Sequence, residues 1–232
     1  MALPTPGPLG RNLPAERDLS EHRDFAALAP EARPVNVPVA IGIPWYSNFD
    51  RPIGNPDGTF SIGAGDLGIV RGGHDICIEP EGAPFPDSVP NWLFYNQGTT
   101  SACEGFAHSR MQTLLRGHLY DAQWLYAQAQ AIDGQPLPHD GTDDKSALTI
   151  METKGMQIAG TTGGPNLSEG ITGFRFAGSV QDILTALGTP SATQVTLLQS
   201  WGEAYPHRVL LPVTVLERLL GEQGEAGIVT ES

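Results

Sequence analysis

The hydrophobic period of this chain changes part-way along its length, and that change limits the folds open to it. Val37, Val39, Ile41 and Ile43 alternate with other residues, the two-residue period of a half-buried strand. A glycine turn over 54–58 precedes a second short strand carrying Phe60 and Ile62. The stretch 71–78, opened by Gly72 and Gly73, reads as a third strand. A proline-rich connector over 79–90 follows, and then the period becomes helical. Phe106, Ala107, Met111, Leu114 and Leu115 predict a helix over 101–116. Further helices are expected over 121–132, over 143–154 with Gly155 as its stop, and over 179–187 between Ser179 and Gly188. Val195 to Leu198 predicts a strand, 213–220 a short helix and 227–230 a last strand. Strands and helices in blocks, without regular alternation, predict an α+β fold with a helical lobe and an antiparallel sheet or barrel lobe.

Composition narrows the possible functions. The chain has 232 residues and a formal charge of −13, from 26 acidic and 13 basic side chains. That balance argues against binding nucleic acid or an anionic membrane surface through bulk charge. No apolar run approaches the roughly 18 residues of a membrane helix. Residues 1–10 carry neither a basic region nor an apolar one, so no secretory signal is expected, and synthesis in the cytoplasm is. Two cysteines, Cys77 and Cys103, cannot make a disulfide framework and read as free thiols. Residues 1–34 read as an extended arm, stiffened by Pro4, Pro6, Pro8 and Pro14. Few apolar anchors lie in it, so it is expected to order against protein assembly partners and not within its own core.

The most specific stretch is Asn96-Gln97-Gly98-Thr99-Thr100-Ser101-Ala102-Cys103-Glu104-Gly105-Phe106-Ala107. It delivers a cysteine into the first turn of a helix, where the free N–H groups and the dipole favour a thiolate. Gln97, six residues earlier, carries an amide suited to an oxyanion hole shared with the Cys103 N–H. The stretch resembles the nucleophile segment of the papain-like cysteine peptidases, in which a Gln-Gly pair precedes the catalytic Cys at this offset. Trp124-Leu125-Tyr126, Asp133-Gly134, Gly141-Thr142 and Lys154-Gly155-Met156 are similar to the helical lobe of bacterial and phage members. Ser200-Trp201-Gly202 resembles the Asn-Ser-Trp-Gly motif, and 209–230 the sheet-closing tail.

No histidine lies between Gly155 and Trp201, where the family keeps its catalytic one. The missing strands resemble pieces at the other end of the chain. Residues 38–46 look like the family strand that follows the last helix, and Gly72-Gly73-His74-Asp75-Ile76 looks like its Gly-Gly-His strand. The resemblance therefore implies a circularly permuted papain-like domain over 35–232. Within it, 35–79 is the displaced sheet segment, 80–187 the nucleophile and helical lobe, and 188–232 the remaining sheet lobe.

The resemblance implies acyl transfer from a peptide or isopeptide substrate. Cys103 is the expected nucleophile, His74 the general base and acid, Gln97 the oxyanion donor and Gln199 the group that orients the imidazole. No cofactor or metal is implied; His74, Asp75, Cys77 and Cys103 lack the paired spacing of a zinc site. The chain departs from the family at three places: Gln199 stands for Asn, Glu104 for Trp and Thr100 for a structural Cys. A carboxylate beside the sulfur disfavours the thiolate. The alternative is thus a papain-like module with impaired catalysis, a structural or binding part of a phage tail or capsid. Cys77, three residues after His74, is expected in the core on the opposite face of its strand. Trp45, Trp92, Trp124 and Trp201 read as core or interface anchors, and His108, His118, His139 and His207 as surface or packing residues.

Overall fold

A computed structural model describes residues 37–83, 95–201 and 207–230. The expected arm over 1–34, and Trp92, lie outside the described residues. Among the described residues the fold is mixed α+β: five α-helices and one open eight-stranded sheet. The strands are β1 (Val39–Tyr46), β2 (Ile53–Gly54), β3 (Phe60–Ser61), β4 (Val70–Pro80), β5 (Gly173–Phe176), β6 (Gln194–Leu198), β7 (Arg208–Pro212) and β8 (Glu225–Thr230). The helices are α1 (Cys103–Arg116), α2 (Ala122–Gln130), α3 (Asp144–Thr153), α4 (Val180–Ala186) and α5 (Val213–Gly221). The sheet runs β2-β3-β7-β6-β4-β1-β8-β5, so β2 and β5 are its edges and no barrel closes. None of the described helices is long and apolar enough to cross a membrane.

The strands expected at both ends of the chain meet in the centre of this sheet. β4 pairs antiparallel with β1 on one side and with β6 on the other, and β1 pairs with β8. Alternation then sorts their side chains onto two faces. Val39, Ile41 and Ile43 of β1, Ile76 and Ile78 of β4, and Val195 and Leu197 of β6 join a core with Trp45, Trp201, α4 and α5. Ala40, Cys77 and Leu198 turn the other way, into a core with Ala107, Met111, Leu125 and Leu148 from α1, α2 and α3. Each face of the central strands therefore has its own helical layer. Cys77 is fully buried, as expected, and both cysteines are free thiols.

Helix ends follow the sequence signals. Asp121, Asp143 and Ser179 each accept a hydrogen bond from a backbone N–H of the helix they cap, α2, α3 and α4 respectively. Gly155 stops α3 with a left-handed φ of 78°. Helix α1 departs from expectation. Its apolar residues predict one buried stripe, but every residue from Glu104 to Thr113 is buried. A helix enclosed on all sides normally reads as continuously apolar; this one encloses Glu104, His108, Ser109, Arg110, Gln112 and Thr113. Strands β2, β5 and β7 were not expected as separate elements; each is short, with two, four and five residues.

Candidate functional site

Cys103 is the first residue of α1, at the end of the loop that carries Gln97. Its thiol donates to Asp75 Oδ2 at 3.4 Å. Gln97 is close in sequence but turned to local use: its side-chain amide donates to the Thr100 carbonyl at 3.0 Å, and the Thr100 hydroxyl donates back to the Gln97 carbonyl at 2.8 Å. The expected oxyanion donor is thus a brace of the loop before the helix. Such short reciprocal bonds are a common use of polar side chains in loops.

His74 sits one residue before Asp75 on β4, opposite Ile43 of β1. It packs edge-on against Trp45, ring centroids 4.7 Å apart, and its Nε2 accepts from the Gln199 side-chain amide at 2.8 Å. Gln199 therefore meets the imidazole through its side-chain amide. In this amide orientation Nε2 carries a lone pair, which leaves the ring proton on Nδ1. Burial drives the pKa of His74 down from 6.5 to about 4, against a smaller opposing pull from the Gln199 bond. Trp201 completes this face, donating its indole N–H to the Phe49 carbonyl at 2.7 Å.

The sequence expectation paired Cys103 with His74. Among the described residues no hydrogen bond joins them: the thiol meets Asp75 and the imidazole meets Gln199. Successive residues of a strand face opposite ways, and β4 presents Asp75 and Cys77, not His74, toward α1. Burial, with the Asp75 charge next, pushes the Cys103 thiol above its ordinary value. Burial and then the Glu104 charge push Asp75 up to about 8.

A second group lies directly beneath Cys103 and was missed. Glu104 and His108, one helical turn apart on α1, and Asp144, the first residue of α3, are all buried and together present donor atoms within 4.8 Å of one another. His108 Nδ1 bonds the Glu104 carbonyl at 3.1 Å, and its Nε2 lies 3.7 Å from Asp144 Oδ1. Desolvation raises Glu104 and Asp144 well above the carboxylate range and lowers His108. His108, expected on the surface or in packing, is fully buried and lies against two carboxyl groups. Its i, i+4 spacing from Glu104 was the available signal, and the contribution of α3 was invisible in sequence.

His118 contacts Glu169 at 3.1 Å and His139 contacts Asp133 at 2.7 Å. The chain matches no family model, no curated protein and no solved structure.

Proposed function

We propose that this chain is a circularly permuted papain-like module that no longer turns over peptides and acts as a structural or binding component. A phage virion is the setting its resemblances favour. The observation that carries the functional reading is the Cys103 thiol bonded to Asp75. An imidazole beside a thiol takes its proton and leaves a balanced thiolate–imidazolium pair. The Asp75 carboxyl, itself pushed up to about 8, is no substitute: ionising both groups would set two negative charges together in a desolvated place, so the sulfur stays protonated and unreactive. The Gln97 amide, engaged at Thr100, leaves the oxyanion without its expected side-chain donor.

The permutation has its own support. In the unpermuted order α4 leads into β1, and β4 leads into β6. Here the Val37 N–H donates to the Ala186 carbonyl at 2.9 Å, so the end of α4 already touches the start of β1. Pro80 pairs with Val195, and the Gln194 amide donates to Glu81 at 2.8 Å, so β4 ends where β6 begins. Both pairs of ends are near enough for the joints that an unpermuted order would need. A chain with 37–83 spliced between Leu187 and Gln194 through short glycine linkers, and starting near Tyr95, is expected to fold with the same far-UV spectrum. Its failure to fold would remove the permutation.

The active-peptidase reading keeps one favourable observation, the imidazole held by Gln199. A thiol-directed electrophile at neutral pH separates the two. The proposal expects Cys103 to label no faster than a free cysteine, with no change in His74→Ala. Rapid labelling of Cys103 that disappears in His74→Ala restores the peptidase.

A further inference from the structure

We infer that Glu104, His108 and Asp144 form a buried binding site for one divalent transition cation of the Zn2+ class, between the first two turns of α1 and the start of α3. The inference does not depend on the papain-like reading.

Buried polar atoms in proteins are nearly always hydrogen-bonded. Here both side-chain oxygens of Glu104, Nε2 of His108 and Oδ1 of Asp144 are buried with no hydrogen-bond partner among the described residues. Glu104 and His108 are wholly inaccessible and Asp144 is 4 % exposed. Glu104 Oε1 does lie 3.1 Å from His108 Nδ1 as an ion-pair contact, but the other three buried atoms share one place with no hydrogen-bond partner among the described residues, and their chemistry is that of metal ligands. The Glu104 carbonyl fixes His108 Nδ1 as the N–H, so Nε2 is left with a lone pair aimed at Asp144 Oδ1. Two lone pairs facing each other repel unless a proton or a cation lies between them, and 3.7 Å is too wide for a shared proton. A metal-bound imidazole is characteristically held in this way, its second nitrogen donating to a backbone carbonyl.

Geometry and charge agree. Ligand atoms bound about 2.1 Å from a tetrahedral ion lie roughly 3.4 Å apart. The 3.7 Å between Nε2 and Oδ1 is already close to that spacing, and the full set needs only side-chain rotation from its 4.8 Å span. Two carboxylates, a neutral imidazole and a divalent cation form a neutral set, which suits a buried place. The imidazole selects Zn2+ or its transition-metal neighbours over Mg2+ and Ca2+. Gly42 on β1 gives the carboxyl groups room. A Cβ there would stand 2.9 Å from Asp144 Oδ2 and 2.7 Å from Oδ1 of Asp75, the partner of the Cys103 thiol.

The untagged full chain, stripped with a chelator and dialysed, is titrated with Zn2+. Elemental analysis is expected to find one ion per chain, and the thermal midpoint to rise by several degrees. Glu104→Gln and Asp144→Asn, checked as folded by circular dichroism, are each expected to weaken binding by at least about 10-fold. His118→Ala, outside the site, is expected to bind as the parent does. Co2+ in the wild-type chain reads the ligand set without any variant: visible ligand-field bands without a thiolate charge-transfer band are expected. No bound ion and no midpoint shift in the folded parent overturns the proposal. So does binding unchanged in both carboxamide variants, and so does a thiolate band that places Cys103 in the coordination sphere.

Discussion

His74 and Asp75 are neighbours on one strand, yet they stand in opposite kinds of surroundings. On the His74 face the polar groups are paired within an aromatic wall: Gln199 meets the imidazole and the Trp201 indole meets Phe49. On the Asp75 face a thiol, three acids and an imidazole crowd the starts of α1 and α3, and four of their polar atoms lack a hydrogen-bond partner among the described residues. A paired buried network rigidifies a fold, whereas an unpaired one stores a demand for a ligand or a proton. One step along β4 separates the two, because strand alternation allows no intermediate placement.

Trp201→Ala tests the aromatic face most severely. Loss of a buried indole and its bond is expected to cost about 3–5 kcal/mol, read from urea unfolding. A loss under about 1 kcal/mol would mean that this wall is not core.

Gly42→Ala strikes the opposite face. The new methyl group meets two carboxyl oxygens inside 3 Å, and overpacking of this kind costs about 1–3 kcal/mol. An unchanged midpoint would show that the acidic cluster has slack.

The pH dependence separates the faces more finely. His74 titrates near 4 when folded and near 6.5 when unfolded. Between those values the unfolded chain holds a proton that the folded one refuses, so stability falls as pH drops from 6.5 toward 4. Asp50 and Arg110 are the charged groups that act on this ring, with opposite sign. His74→Gln is expected to flatten that limb, measured as the difference between the two urea midpoint curves. Parallel curves would show that the ring is not desolvated.

Gln97→Ala is the mildest change. It removes one exposed brace to Thr100, and a cost of about 0.5 kcal/mol is expected with no change in thiol labelling. A marked change in Cys103 reactivity would return Gln97 to the oxyanion hole.

Much of the fold was legible because it rests on local signals. Asp121, Asp143 and Ser179 announce their helices by capping chemistry, and Val39 to Ile43 announce β1 by alternation. Of the site, Cys103 at a helix start was readable, as was the closeness of Gln199 to His74. The face of β4 was also latent in the sequence. Cys77, expected in the core opposite His74, shares its face with Asp75 and packs with Ala107 and Met111 of α1. That arrangement leaves Asp75, not His74, to meet the helix. The expectation of a Cys103–His74 pair followed motif resemblance in place of this parity.

The sequence by itself determined the α+β class, the helix limits, the central strands and the absence of a disulfide framework, since each depends on residues within a few positions of one another or on composition. Only the tertiary structure decided that α1 is enclosed on every side, that Asp75 of β4 reaches the Cys103 thiol, and that Asp144 meets Glu104 and His108. Those facts depend on which surfaces a distant segment covers. Asp144 stands 40 residues from Glu104, and no local period or cap encodes the packing of α3 against α1 that brings them within one donor-atom cluster.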